Sequence, residues 1–237
     1  AQVCSARRLA AVAAFTGEQA RSRLAQARLY VCTDARTSRG DFRSFVREIT
    51  AAGVDIVQLR DKNLDARQTL AALEILREEC ENADALWCVN DRADIAVSAG
   101  APVVHVGQAD VPPVRVRELV GPDVVIGQST HCVDDLAAAI ADADVDYFAV
   151  GPLWATPTKP DRAAAGLEYL DQAVAAASTK PWFAIGGIDA SNLADVVRRG
   201  ARRVVVVRAV TEAEESAVAV RELLSLLESH ALDGRTS

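Results

Sequence analysis

One unit recurs along almost the whole chain. A short run of β-branched and aliphatic residues ends in a polar or glycine-rich cluster, and an Ala-, Leu- and Glu-rich stretch with helical spacing follows. The apolar runs predict strands at 28–33, 55–59, 86–89, 103–106, 124–126, 147–150, 182–185 and 203–207. The stretches between and after them predict helices at 41–52, 65–81, 92–99, 113–120, 133–142, 168–177, 190–199 and 213–230. Gly53, Gly100 and Gly200 stand shortly before a strand, where a helix C-cap glycine belongs. The strands are nearly continuous apolar runs, the pattern of a sheet covered on both faces. Such alternation gives a closed barrel or a long open sheet. The even spacing, roughly 25 residues per unit, favours a single (β/α)8 TIM barrel, an α/β fold whose strand C-termini all face one mouth.

Length and composition are compatible with that fold. The chain has 237 residues, half of them apolar, enough for one barrel or for two small domains. No Gly/Ser-rich linker marks a second domain. The expected division is an N-terminal helical extension at 1–27, a barrel at 28–230 and a disordered tail at 231–237. Arg7, Arg8, Glu18, Arg21 and Arg23 interrupt any apolar core in the extension, which argues against a signal segment. The net charge of −7 makes nonspecific nucleic-acid binding a poor expectation, so an anionic ligand needs a local cluster of cations. No uncharged apolar stretch approaches the ~18 residues of a membrane span. Five cysteines without metal-finger spacing suggest reduced thiols and a cytoplasmic protein. Cys32 and Cys88 read as small core residues.

The clusters at the strand ends carry the chemistry. Gln58-Leu59-Arg60-Asp61-Lys62 ends the second run, and Lys159 follows the sixth. Arg60, Lys62 and Lys159 would gather at the mouth of an otherwise acidic protein, which suits a strongly anionic ligand such as a pyrophosphate. The competing reading is surface ion pairing with Asp61 or Asp161. Asp91 and Asp110 end adjacent strands, within about 5 Å of each other laterally. Two carboxylates so placed suit one hard cation, and Mg²⁺ best; the competing roles are an N-cap for Asp91 and a turn cap for Asp110. Asn90 adds an amide, and Ser129, Thr156 and Thr158 add hydroxyls. Gly186-Gly187 after the seventh run suits phosphate as well as a tight turn. The stretch 156–166, with Pro157, reads as a long loop of the lid type. His105 reads as a packed or supporting residue, and His131 as structural. No general base stands out, which fits leaving-group stabilisation better than proton abstraction.

Seven motifs together carry a resemblance. Val57-Gln58-Leu59-Arg60-Asp61-Lys62, Val89-Asn90-Asp91-Arg92, His105-Val106-Gly107-Gln108-Ala109-Asp110, Gly127-Gln128-Ser129-Thr130-His131, Gly151-Pro152, Thr156-Pro157-Thr158-Lys159 and Ala184-Ile185-Gly186-Gly187-Ile188 resemble thiamine phosphate synthase, in order, over about 28–228. The resemblance implies a (β/α)8 barrel that condenses 4-amino-2-methyl-5-(diphosphooxymethyl)pyrimidine with 4-methyl-5-(2-phosphooxyethyl)thiazole. It implies that Gln58, Arg60, Lys62, Asn90, Ser129 and Lys159 hold the pyrimidine pyrophosphate, that Leu59, Asp61 and Pro157 also belong to the substrate site, and that Arg60, Lys62, Ser129 and Lys159 are the catalytic set. Asp91 and Asp110 would carry one Mg²⁺. Thr156, Thr158, Gly187 and the backbone at Val207 and Arg208 would hold the thiazole phosphate. The family commonly has serine where this chain has Arg208, so an arginine there either adds a contact or fills the pocket. A related isomerase, the thiazole tautomerase, shares the barrel and a Gly-x-Ser-x-His segment, but the Asp91 and Asp110 pair argues against it. A non-catalytic phosphate-binding barrel is the remaining alternative. The partners implied are small molecules, with no nucleic acid and no membrane. A homo-oligomer is compatible with the sequence, which does not fix the oligomeric state.

Overall fold

The computed structural model describes residues 15–156 and 163–233. The chain forms α1 (Gly17–Gln26), β1 (Leu29–Thr33), α2 (Phe42–Ala51), β2 (Ile56–Leu59), α3 (Ala66–Asn82), β3 (Leu86–Asn90), α4 (Ala93–Ala99), β4 (Val103–Val106), α5 (Pro113–Val120) and β5 (Val125–Thr130). It continues with α6 (Val133–Ala141), β6 (Tyr147–Val150), α7 (Gly166–Ala175), β7 (Trp182–Ile185), α8 (Leu193–Arg198), β8 (Val204–Val206), α9 (Arg208–Thr211) and α10 (Ser216–Asp233). The strands close into a parallel barrel in sequence order, with β8 returning to β1 through Leu29 opposite Val204 and Val31 opposite Val206. This is a (β/α)8 barrel.

Alternation along each strand splits its side chains between two cores. Tyr30, Ile56, Leu86, Val103, Val125, Tyr147, Phe183 and Val205 pack together in the lumen. Val31, Val57, Trp87, Val104, Ile126 and Val206 face outward and meet the helices. Both sets are almost fully buried, which is why the strands read as continuous apolar runs.

The lumen cluster also contains Ala20, Leu24 and Ala27, with Phe15 packed against it. Helix α1 therefore covers the open base of the barrel. Thr16 starts it with a capping box, accepting from Gln19 N at 3.2 Å while Gln19 Oε1 accepts from Thr16 N at 2.8 Å. Arg21 reaches Asp146 and the Pro122 carbonyl, both at 2.8 Å. Arg203 donates to Ala25 O.

Three elements depart from the sequence expectation. Strand β5 runs on to Thr130, because Gly127, Gln128, Ser129 and Thr130 pair with β6 in register although their residue types suggest a turn. A short helix, α9, follows β8 directly. Helix α10 runs on to Asp233, beyond residue 230 where the tail was expected to begin. The Cys4 thiol and the rest of the stretch 1–14 lie outside the described residues.

Candidate active site

Gln58, Asn90 and Ser129 occupy inward positions near the C-terminal ends of β2, β3 and β5. Gln58 and Ser129 are buried. Gln58 Nε2 donates to the Tyr30 hydroxyl at 2.7 Å, and Cys32 Sγ donates to Gln58 Oε1 at 3.4 Å. The Gln58 amide is thus held from both ends. Ser129 Oγ lies 2.9 Å from His105 Nε2, and Gln108 Nε2 donates to Ser129 O at 2.8 Å. His105 is a lumen residue in contact with a site residue, rather than simple packing. His131 ties loops together, its Nδ1 lying 2.5 Å from Gly151 O.

Arg60 and Lys62 follow β2, the first half-buried and the second exposed. Arg60 N donates to Thr33 O at 2.8 Å, extending the ladder by one residue. Asp61, one of the two ion-pair partners the sequence offered them, instead accepts from Ala35 N at 3.2 Å and from Asn63 N at 3.0 Å, and Asp161, the other, lies outside the described residues. Asp61 therefore shapes the two loops. Among the described residues neither Arg60 nor Lys62 forms an ion pair, so both charges remain available to a ligand. The Leu59 side chain belongs to the outer core, leaving only its backbone on the loop side.

The carboxylates settle their local roles. Asp91 does not cap α4, whose N-cap is Arg92 without a side-chain cap bond. Its backbone has φ of 63°, a left-handed conformation uncommon outside glycine, and its N–H donates to His105 O at 2.8 Å. That bond pins the strained residue between β3 and β4. Asp110 does close a turn, Oδ2 accepting from Gly107 N at 2.7 Å, yet it also meets Asp91. Burial, then hydrogen bonding to Asp110 and its negative charge, push the Asp91 carboxyl up, while Asn90 and Lys62 pull it back. Two carboxyls in contact, partly buried and facing a lysine, form an all-oxygen donor pair of the kind a small divalent cation suits. Among the described residues no group of three or more His, Cys, Asp or Glu side chains forms a larger metal cluster.

On the opposite side of the mouth, Gly186 and Gly187 have φ of 102° and 69°. A Cβ on Gly186 would lie 2.4 Å from Pro152, and one on Gly187 would lie 2.8 Å from Trp154 Cβ. Both glycines are therefore required by the loop after β6, whatever else their backbones bind. Gly187 O accepts from Asn192 Nδ2 at 2.8 Å. Val207 is the N-cap of α9 and Arg208 its first residue. The Arg208 side chain is exposed, so it does not pack into the barrel. Thr156 is described; Pro157, Thr158 and Lys159, with most of the expected lid loop, lie outside the described residues.

Sequence reasoning missed Tyr30 and Tyr147, which stand behind Gln58 and His105. Their signal was period-2 spacing, which puts a polar-tipped aromatic on the inward face of β1 and β6.

The profile of the family described as thiamine monophosphate synthase matches residues 29–210. The chain is 55% identical over 218 residues to thiamine-phosphate synthase of Mycobacterium leprae, covering 87% of this chain and 93% of that protein. It is 54% identical over 206 residues to that of Thermobifida fusca, covering 87% and 94%. Among solved structures, thiamine phosphate pyrophosphorylase from Pyrococcus furiosus superposes with a TM-score of 0.78 at 31% identity, covering 89% of this chain and 98% of that one. The chain belongs to the thiamine monophosphate synthase family.

Proposed function

We propose that this chain is a transferase that joins 4-amino-2-methyl-5-(diphosphooxymethyl)pyrimidine to 4-methyl-5-(2-phosphooxyethyl)thiazole, releasing thiamine phosphate and pyrophosphate. The observation that carries the reading is the Asp91 and Asp110 pair beside Lys62, in a mouth also lined by Gln58, Asn90 and Ser129. Arg60 and Lys62 would grip the diphosphate, Arg60 through its planar fork, with Lys159 as a third cation. Gln58, Asn90 and Ser129 would hold the pyrimidine. Thr156, Thr158, Gly187 and the backbone at Val207 and Arg208 would take the thiazole phosphate.

Asp91 and Asp110 would hold one Mg²⁺, which supplies positive charge against the diphosphate. The residue types fit: both ligands are hard oxygen donors, and a cation between them offsets the burial and the Asp110 charge that raise the Asp91 carboxyl. The reaction asks little else of the protein. The C–O bond to the diphosphate breaks and its electron pair leaves with the pyrophosphate. The thiazole nitrogen lone pair then forms the new C–N bond. That nitrogen carries no proton, so no general base is needed. Arg60, Lys62 and Lys159 stabilise the charge growing on the leaving group, and the barrel mouth aligns the two rings.

The test mixes the purified chain with both substrates and Mg²⁺ and follows thiamine phosphate and pyrophosphate, with an EDTA control. Equimolar formation of both products that EDTA abolishes is the expected result. A folded sample that makes neither overturns the reading; products that persist in EDTA overturn the metal assignment.

A further inference from the structure

The lumen of a (β/α)8 barrel is usually filled by branched aliphatic side chains. Here a line of polar groups crosses it. From Gln58 on β2 it passes to Tyr30 on β1 at 2.7 Å, and from the Tyr30 hydroxyl to that of Tyr147 on β6 at 3.3 Å. From Tyr147 it passes to His105 Nδ1 on β4 at 3.1 Å, and from His105 Nε2 to Ser129 on β5 at 2.9 Å. All five residues are at most 8% exposed. Burying so many polar groups is costly unless each finds a partner, so the line has to be connected throughout.

A second observation shows that the fold is arranged around it. A Cβ on Gly127 would lie 2.1 Å from Tyr147 Cζ and 2.5 Å from its hydroxyl oxygen. Only glycine at that position lets Tyr147 reach His105. The glycine that looked like a turn signal in the sequence is therefore the space for this phenol.

The direction of the line starts from its first member. Gln58 Oε1 already accepts from Cys32, so the amide nitrogen faces Tyr30 and can only donate. The Tyr30 oxygen then accepts, and two acceptors face its proton, the Tyr147 oxygen and the Sγ of Cys88, which also takes a Gln58 Nε2 contact at 3.5 Å; oxygen is the stronger acceptor, which favours donation to Tyr147. The Tyr147 proton goes in turn to His105 Nδ1. Burial holds both phenols far above their ordinary pKa, so both remain donors. A neutral imidazole that accepts at Nδ1 carries its proton on Nε2, and gives it to Ser129 Oγ. The Ser129 proton is left for whatever sits in the mouth.

We propose that Tyr30, Tyr147 and His105 are positioning residues, a one-way hydrogen-bond chain through the barrel that fixes the Nε2–H tautomer of His105 and presents Ser129 to the substrate ring as a hydrogen-bond donor. Its other end fixes Gln58, so both sides of the ring pocket are oriented by one network. The identity of the ring, an aminopyrimidine with acceptor nitrogens, rests on the synthase reading above.

The test has two parts. Histidine ring ¹⁵N NMR on the ligand-free parent, with His105→Asn to assign the signal, reads the tautomer without any substrate. Nε2–H is expected; an Nδ1–H ring overturns the proposal. Tyr147→Phe keeps the ring and removes the hydroxyl. In that variant His105 is expected to lose its single tautomer, and KM for the pyrimidine diphosphate to rise about tenfold, the scale of one lost orienting hydrogen bond, with KM for the thiazole phosphate unchanged. Tyr169→Phe is the control: it removes a buried hydroxyl that donates to Thr130 Oγ1 at 2.6 Å on the outer side of the same strand. Equal effects in the control, or unchanged KM for both substrates in Tyr147→Phe, overturn the proposal. A parent that forms no thiamine phosphate defeats the synthase reading alone, because the tautomer is read independently.

Discussion

At the scale of single residues, the two carboxylates show how a site conflicts with its own stability. Asp91 is held in a left-handed backbone conformation beside Asp110, and its carboxyl is harder to ionise in the fold than in an unfolded chain. A carboxyl with a raised folded pKa favours the fold when protonated; that contribution is lost as pH rises through the folded value. At neutral pH the ligand-free protein therefore carries the cost of a partly buried charge, and with it a repulsion from Asp110, both of which Asp91→Asn removes. The expected outcome is a variant without measurable condensation but with an unchanged or slightly higher Tm, by about 2–4 °C for about 1 kcal/mol in a chain of this size. Calorimetry beside the product assay checks both halves, and a variant that keeps normal activity would remove Asp91 from the metal assignment. The pair was legible in the sequence because each aspartate ends an apolar run on neighbouring strands. The αL backbone of Asp91 was not legible, since it depends on a hydrogen bond to β4. Neither was the Tyr30 and Tyr147 pair, since tyrosine inside an apolar run looks like core until the barrel closes around it.

At the scale of elements, the helices reveal two kinds of support. Helix α1 is bound chiefly by its apolar face, with Leu24 buried among lumen residues at the barrel base. Leu24→Ala leaves a cavity there and is expected to cost about 3 kcal/mol in urea unfolding. A loss near zero would mean that α1 is not seated on the barrel. Helices α2 and α3 share the outer core through Phe45, Val46, Ile49, Leu73 and Leu76, and are joined by charge as well. Glu79 on α3 is almost fully buried and accepts from Arg47 Nε at 2.9 Å and from Arg43 Nη1 at 2.8 Å. Hydrogen bonding to Arg47 holds its carboxyl below the usual range against the opposing effect of burial. A depressed carboxyl stabilises the fold above its unfolded pKa and loses that contribution as pH falls through the folded value. Glu79→Gln should destabilise by about 1 kcal/mol at pH 7, modest because both arginines are largely exposed. The difference from the parent should shrink below about pH 4, and a pH-independent difference would refute the ionic origin. The eight strands and their intervening helices were legible because periodicity reports burial. Helix α9 was not: four residues give no period, and Arg208 drew attention as a ligand candidate instead.

At the scale of the whole molecule, a closed barrel has one seam where the first strand meets the last, and here that seam reaches the active-site mouth. Val204 N donates to Arg28 O at 2.9 Å, and Arg28 pairs with Glu228 of α10 near the base. At the mouth the tie is Arg36, in the loop after β1. Its guanidinium donates to both Asp41 oxygens at 2.8 and 2.7 Å and to Thr211 O, the last residue of α9, at 3.0 Å. Arg39 donates to the same carbonyl at 3.1 Å. Arg36 also lies over the Phe45 ring with its Cζ 4.0 Å from the centroid, and is only 7% exposed. Two cations on its terminal carbonyl complement the dipole of α9 and set where its N-terminus points. That N-terminus is the proposed thiazole-phosphate contact, so the seam and one substrate pocket depend on one side chain. Arg36→Ala removes a bidentate pair, a carbonyl contact and a cation–π contact, and should cost about 3 kcal/mol of stability. Arg36→Lys should rescue little, because an ammonium cannot span both Asp41 oxygens and Thr211 together. In steady-state kinetics at a temperature where the variants stay folded, KM for the thiazole phosphate should rise severalfold in both, with KM for the pyrimidine diphosphate unchanged. A parallel rise in both constants would show that Arg36 supports the barrel as a whole and does not orient α9.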